Sequence, residues 1–332
     1  MQNQQIHSLL QEGQPLVTFI VTYYNLPMQM LCECIDSILA LSLRPFEREV
    51  IIVDDGSEVS PMNGLMQYAD DIVYVRQQNQ GLSSARNRGI SMATGQYIQF
   101  VDADDHLIQT PYEHCLDIIR YQSDADMVLF DFTSNKQQRQ AVFNDQPPVS
   151  GTEYMRHNNI HGTAWGYLFR RLTLSELRFT PGIVHEDEEF TPQLLIRSEC
   201  IYVTDAKAYY YHQRPNSITS ALDEKSRDKR LDDTKDILLR LQQLCDRVSH
   251  DDRLALQRRI AQLTMDYLYN TIVQGRSRQM LDTRIDELRS HGLFPLPDRD
   301  YSKKYQWFRR MTGSSFGRTI LINTLPLLKR ER

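Results

Sequence analysis

Along this chain, short apolar runs of β type alternate with stretches whose apolar residues recur at helical spacing. Leu16–Thr22 is continuously apolar and rich in β-branched residues, the pattern of a strand buried on both faces of a parallel sheet. It stops at Tyr23-Tyr24-Asn25-Leu26-Pro27, after which Met30, Leu31, Cys34, Ile35, Ile38, Leu39 and Leu41 recur three and four residues apart and predict an amphipathic helix. Glu49–Val53 reads as a second buried strand, ending at Asp54-Asp55-Gly56-Ser57, and Ile72–Val75 as a third. Gly81–Ala93 predicts a helix closed by Gly95 as a left-handed C-cap. A fourth strand, Tyr97–Val101, halts at Asp102, Asp104 and Asp105, three carboxylates within four residues. Thr110-Pro111-Tyr112-Glu113 combines an N-cap, a first-turn proline and a capping-box acid. Met127–Phe132 is a fifth strand.

Strands alternating with helices at this spacing predict a doubly wound α/β sheet. No Gly-x-Gly-x-x-Gly follows the first strand and no Gly-Lys-Ser/Thr loop occurs, so dinucleotide and P-loop readings lose their main support. Polar stretches at three successive strand ends point instead to a nucleotide held without a glycine cradle. Residues 133–160 carry little pattern. Cys200–Val203 and Lys207–Tyr211 alternate as the two arms of a closing hairpin, and from Asp223 to His291 the text reads as two or three amphipathic helices.

Composition narrows the class. In 332 residues, 41% hydrophobic and 24% charged content is that of an ordinary soluble protein, and a net charge of −5 gives no reason to expect nucleic acid as a partner. Cys32, Cys34, Cys115, Cys200 and Cys245 are odd in number and scattered, which fits buried thiols in a reducing compartment better than a disulfide framework. The polar 1–14 leader shows no secretory signal and no apolar run reaches 18 residues, so a cytoplasmic location is expected.

The acidic cluster carries the first chemistry. Three close carboxylates repel one another, and unpaired charge is costly where water is partly excluded. A divalent cation offsets that cost, because hard oxygens suit Mg²⁺ or Mn²⁺, which can also bridge to phosphates. Ligands of open α/β sheets bind just beyond the carboxyl ends of the strands. The alternative is an Asp-rich turn whose side chains cap backbone amides.

Thr22-Tyr23-Tyr24-Asn25, Val53-Asp54-Asp55-Gly56-Ser57, Gly81-Leu-Ser-Ser-Ala-Arg86-Asn87-Arg-Gly89 and Val101-Asp102-Ala-Asp104-Asp105, in that order and spacing, resemble the inverting nucleotide-sugar glycosyltransferases of family 2. Glu186-Asp187-x-x-Phe190 and Tyr-x-His212-x-Arg214-x-x-Ser217-Ile218 resemble that family's acceptor-half motifs. The resemblance implies a GT-A fold: a Rossmann-like, mainly parallel sheet flanked by helices. It implies a catalytic domain over 15–220, with a nucleotide-binding half at 15–107 and an acceptor half at 108–220. A helical extension over 221–300 and a tail over 301–332 would follow.

On this resemblance Thr22, Tyr24, Asp55, Arg86 and Asp102 bind the nucleotide, with Asp55 accepting the uracil imide N–H and Arg86 facing the diphosphate or a neighbouring carboxylate. Arg88 reads as a solvated surface charge. Asp104 and His212 are the metal ligands, His212 being either a ligand or a structural histidine of a tyrosine-rich hairpin. Asp187 is the general base, crowded by Glu186, Glu188 and Glu189; the same residues also suit a solvated helix start. Trp165 and Glu186 contact the acceptor, Trp165 as a sugar platform or as core packing. Relatives often carry Trp-x-Lys-Leu where this chain has Trp165-Gly166-Tyr167-Leu168, so an inherited assumption about an acidic acceptor group has no lysine to rest on.

The implied activity is transfer of a hexose or N-acetylhexosamine from a UDP-sugar to a glycan or lipid-linked glycan, with inversion, in surface polysaccharide or lipopolysaccharide synthesis. Mn²⁺ or Mg²⁺ would be the cofactor. A haloacid-dehalogenase-type phosphatase is the rival enzyme, although its Asp-x-Asp belongs on the first strand; an inactive glycan- or nucleotide-binding module is the rival without chemistry. From Tyr301 to Arg332, eight basic residues face the single acid Glu331, a formal +7, interleaved with Trp307, Phe308, Phe316 and a run of Ile and Leu. That composition suits an anionic membrane at the inner face of the cytoplasmic membrane, or a helix packed on the protein with a solvated charged edge.

Overall fold

The computed structural model describes residues 13–135, 137, 139–214, 224–275 and 277–328; Ser217 and Ile218 of the last motif, and Lys329, Arg330 and Arg332 of the tail, lie outside them. The chain divides into two compact units. The first comprises residues 1–151, 163–182 and 197–215, and the second 152–162, 183–196 and 216–332.

The first unit is built on a mixed sheet in the order β3-β2-β1-β4-β8-β6-β9-β5, with β7 also on β9. Its parallel core is β1 (Val17–Tyr23), β2 (Arg48–Asp54), β3 (Val73–Arg76) and β4 (Tyr97–Asp102). Every residue of β1 is buried, as the uninterrupted apolar run requires of a strand covered on both faces. Four helices belong to this unit: α1 (Met28–Leu39), the one-turn α2 (Met62–Leu65), α3 (Leu82–Met92) and α4 (Gln109–Tyr121). Leu31, Cys34, Ile35 and Ile38 are the buried stripe of α1. The remaining strands are β5 (His106–Leu107), β6 (Met127–Thr133), β7 (Asp145–Val149), β8 (Tyr167–Arg170) and β9 (Ile201–Tyr210). β8 runs antiparallel between β4 and β6, and β9 runs parallel to β6.

Three expectations need correction. The proposed hairpin is one ten-residue strand, β9. Thr204-Asp205 makes no turn, because the Asp205 carboxylate is engaged laterally by the Asn144 amide nitrogen, the Asn144 side chain and Gln140. Gly95 is not a left-handed cap: α3 ends at Ala93 with extended backbone. Gly95 is small because a Cβ there would lie 2.7 Å from both the amide nitrogen and Oγ1 of Thr18, whose hydroxyl accepts from the Gly95 amide. Thr110 does not cap α4, which begins one residue earlier behind Ile108 without a side-chain cap. Glu113 instead accepts from the Ser42 amide at 2.5 Å.

The second unit is helical: α5 (Gly151–His157), α6 (Asp187–Leu195), α7 (Glu224–Leu244), α8 (His250–Gly275), α9 (Arg278–Ser290), α10 (Lys303–Gly313) and α11 (Ser315–Leu328). The long α8 is its hub, packing against α7, α9, α10 and α11.

Candidate functional site

The carboxyl ends of β1, β2 and β4 lie side by side, because their register pairs Thr22 with both Val53 and Asp102. Asp54 is fully buried; it accepts from the Ser57 amide at 2.9 Å and the Tyr74 hydroxyl at 2.8 Å, fixing the turn after β2. Asp55 faces the other way. Its Oδ1 accepts from Gln77 Nε2 at 2.8 Å and the Gln80 amide at 3.0 Å, and its Oδ2 from the Gly81 amide at 2.8 Å. One buried carboxylate therefore shapes the loop that enters α3. Gly81 opens that helix at φ +87°, a left-handed backbone that glycine adopts without strain. Tyr24, just past β1, is 48% exposed, so its ring is available to a flat partner.

Arg86 rises from α3 into the same corner. It is buried, its Nη2 donates to Asp102 Oδ1 at 3.0 Å, and its guanidinium lies 5.3 Å from the Phe179 ring centroid. Arg88, two residues on, is exposed.

Beyond β4 the acids are held by β9. The short β5 pairs with the end of β9, His106 opposite Tyr210 and Leu107 opposite Tyr209. The Tyr209 hydroxyl accepts from the Asp102 amide at 3.1 Å and donates to Asp105 Oδ2 at 2.8 Å. The His212 amide donates to Asp105 Oδ1 at 2.7 Å. Asp104 takes an ion pair from Arg214, whose Nε donates to Oδ2 at 2.6 Å. Burial, then the charges of Asp102 and Asp104, push the Asp105 carboxyl up to about 8. Burial and Asp102 raise Asp104 as well, with Arg214 opposing. Burial is the larger cause in both. Among the described residues, no three His, Cys, Asp or Glu side chains converge to cage a cation.

Trp165 is buried, its ring stacked on Tyr209 at 4.4 Å between centroids and 11° between planes, with Tyr211 and Phe132 completing the packing. It buttresses the tyrosine that holds Asp102 and Asp105. Tyr209 was not marked by the sequence, where it is one of three adjacent tyrosines in an apolar strand.

In the second unit, Glu186 stands at the N-cap position of α6 without a side-chain capping bond, and Asp187 is the first residue of the helix. Glu186 is buried and Asp187 half-buried. The neighbouring acids have arginines: Glu189 takes a bidentate contact from Arg240 at 2.7 and 3.1 Å, and Glu188 pairs with Arg259 of α8. His185 has φ +65°, and burial pushes its imidazole below the ordinary range. Sequence reasoning missed Arg259. Its only signal was a charge on the apolar stripe Leu256-Arg259-Ile260-Leu263 at helical spacing.

The Glycosyl transferase family 2 profile matches residues 18–171. Bacillus subtilis EpsJ, an uncharacterized glycosyltransferase, is 32% identical over 235 residues, covering 65% of this chain and 67% of EpsJ. Glycosyltransferase GlyA of Streptococcus pneumoniae is 27% identical over 234 residues, 63% of this chain but only 32% of GlyA. The S. aureus TarS 1–349 structure in complex with UDP-GlcNAc superposes with a TM-score of 0.66 at 18% identity, covering 95% of this chain and 91% of that one. Pyrobaculum calidifontis mannosyltransferase PcManGT, in complex with GDP-Man and Mn²⁺, does so at 0.53 and 14% identity, over 95% and 88%. The chain belongs to glycosyl transferase family 2, and its fold is GT-A. The phosphatase reading falls with that assignment.

Proposed function

We propose that this chain transfers a hexose or N-acetylhexosamine from a UDP-sugar to a glycan or lipid-linked glycan acceptor, with inversion at the anomeric carbon, in surface polysaccharide synthesis. The observation that carries this reading is the corner at the ends of β1, β2 and β4, where a buried arginine is ion-paired to a strand-end carboxylate beside two more acids. Thr22 and Tyr24 receive the base, and Asp55 accepts from its imide N–H, which favours uracil. Arg86 supplies fixed positive charge for the departing diphosphate. The UDP-GlcNAc complex of TarS supports a uridine donor by analogy of fold.

The residues present suit a divalent cation. Asp102 and Asp104 offer hard oxygens beside Asp105, in a cluster where burial and mutual repulsion push Asp104 and Asp105 up. Asp104, supported by Asp102, would hold Mn²⁺ or Mg²⁺ together with the donor's diphosphate, with His212 the further ligand this reading assigns. When bound, such an ion neutralises charge building on the diphosphate. Arg214 holds Asp104 in its place here. Asp187 takes the proton from the acceptor hydroxyl as that oxygen bonds to the anomeric carbon and the bond to the diphosphate oxygen breaks. Glu186 and Trp165 belong to the acceptor side in this scheme, Trp165 acting from beneath through Tyr209.

A panel of UDP-glucose, UDP-galactose, UDP-N-acetylglucosamine and GDP-mannose, each with Mn²⁺, Mg²⁺ or EDTA, tests the reading. Metal-dependent UDP release from one UDP-sugar is expected, with a β-glycoside formed from the α-linked donor. Release of GDP alone, or none from any donor, would overturn it.

The tail carries a proposal of its own. Among the described residues, no helix is long and apolar enough to cross a membrane. α10 and α11 pack on α8 through Tyr305, Phe308, Leu321 and Leu325, and leave Trp307, Phe316 and Leu327 49%, 77% and 61% exposed. Lys303, Trp307 and Arg310 share one stripe of α10, and Phe316, Ile320 and Leu327 one of α11. Arg309 and Arg318 are engaged internally, by Asp298 and Asp282. The exposed stripes suit the headgroup region of an anionic bilayer. Replacing Trp307, Phe316 and Leu327 together by serine should abolish salt-sensitive cosedimentation with phosphatidylglycerol vesicles; unchanged binding would contradict it. Deleting residues 301–332 is a poorer test, because it strips Tyr305, Phe308 and Leu321 from the core of this unit.

A further inference from the structure

The buried charges behind α6 exceed what packing needs. Arg259 sits in the middle of α8, buried, with its guanidinium paired to Glu188 and its Nη1 donating to the Ile160 carbonyl at 3.0 Å. An arginine on the apolar stripe of a hub helix costs desolvation that only nearby carboxylates offset. Those carboxylates are Glu188, Asp266 and Asp187. Burial pushes the guanidinium down to about 10, while Asp266 and then Asp187 act to raise it. Asp266, half-buried two turns further along α8, is raised by burial, with Arg259, Lys304 and His161 opposing. The approach of Glu188 is also shaped by Gly162, where any Cβ would fall on the Glu188 carboxylate. Backbone and side chain are thus both cut to bring one cation against the first turn of α6.

We infer that Arg259 is a positioning residue for Asp187: its fixed charge, shared with Glu188, sets the pH at which the Asp187 carboxylate is available as the base. The inference rests on the reading of Asp187 proposed above. Glu186, Glu188 and Glu189 flank Asp187 on its own segment, and Asp266 of α8 acts on Arg259. Facing them are Arg259 on α8 and Arg240 of α7, the latter committed to Glu189. Lys304 and His161 act on Asp266. Burial pushes the His185 imidazole below its ordinary range, with Glu186 and Asp233 opposing and Arg230 of α7 adding to the shift. Arg259 is thus a buried cation at the first turn of α6, paired to the residue next to Asp187, and Glu188 is the acid that draws its charge away. Removing the cation should raise the base's apparent pKa, and removing Glu188 should lower it. A purely structural pair would move both variants the same way or move neither.

The test is the pH profile of kcat/KM for UDP release, using the UDP-sugar active in the panel with water as acceptor. Arg259→Gln should shift the acidic limb upward by about one unit, and Arg259→Lys should bring it back to the parent's position. Glu188→Gln should shift it downward. UDP binding and the thermal melt identify variants that remain folded. If Arg259→Gln does not fold, the direction of the Glu188→Gln shift decides: a limb that stays or rises overturns the inference. Asp187→Asn separates the two levels. Turnover retained in that variant sinks the base reading itself, whereas a dead Asp187→Asn with an unmoved limb in Arg259→Gln sinks only the role given to Arg259.

Discussion

The two acidic clusters of this protein differ in how their acids are partnered. At the end of β4, Asp102 is ion-paired to the buried Arg86 and Asp104 to Arg214, while Asp105 is held by neutral donors alone, the Tyr209 hydroxyl and the His212 amide. Burial pushes Asp104 and Asp105 up. At the start of α6 four acids stand in a row, and two of them, Glu188 and Glu189, each own an arginine, that of Glu188 buried. On the reading proposed above, the first cluster receives a cation and the second a proton, so the partners of each acid are where the two tasks would be set.

The comparison can be broken most forcefully at Arg86, the one buried arginine of the first cluster. Replacing it by methionine leaves Asp102 without its ion pair and should cost about 3–5 kcal/mol of stability, with loss of UDP affinity, read by denaturant unfolding and calorimetry. A double variant with Asp102→Asn should recover part of that stability, since the stranded charge goes too; equal losses in both variants would place the effect in packing against Phe179. Tyr209→Phe is the sharper probe of the neutral donors. It removes both hydrogen bonds of the hydroxyl and should cost about 1–3 kcal/mol. It should weaken the Mn²⁺ response of turnover while leaving metal-free UDP binding close to the parent's. A Mn²⁺ response as strong as the parent's would detach β9 from the acid cluster.

The smallest effect lies on α6. His185 has a folded pKa below its ordinary 6.5 because of burial, so under acid conditions the unfolded chain binds a proton the folded one resists. Stability should therefore fall as pH drops below about 6.5. His185→Gln should flatten that slope between about pH 7 and 5 in thermal melts; a slope that persists would assign it to other groups.

Legibility in the sequence followed the same divide. β1, β2 and β4 were readable because strands buried on both faces leave unbroken apolar runs, and the acids at their ends stand out by contrast. β9 was misread because Thr204-Asp205 resembles a turn until the lateral partners of Asp205 are seen. The small Gly95 pointed to a cap, yet answers to the close approach of Thr18. Arg259 was visible only as a charge out of place on an apolar stripe, and Tyr209 not at all, since its role depends on a pairing across 107 positions of sequence to Asp102. Long-range partners leave no local pattern, and both acidic clusters are governed by them.

The central claim is that the acids beyond β4 hold a cation against a diphosphate. Isothermal titration of UDP into the parent and into Asp104→Asn, each with Mn²⁺ and with EDTA, addresses it directly. The parent should bind at least tenfold more tightly with Mn²⁺, and the variant should bind equally in both conditions. An unchanged Mn²⁺ enhancement in Asp104→Asn would contradict the account.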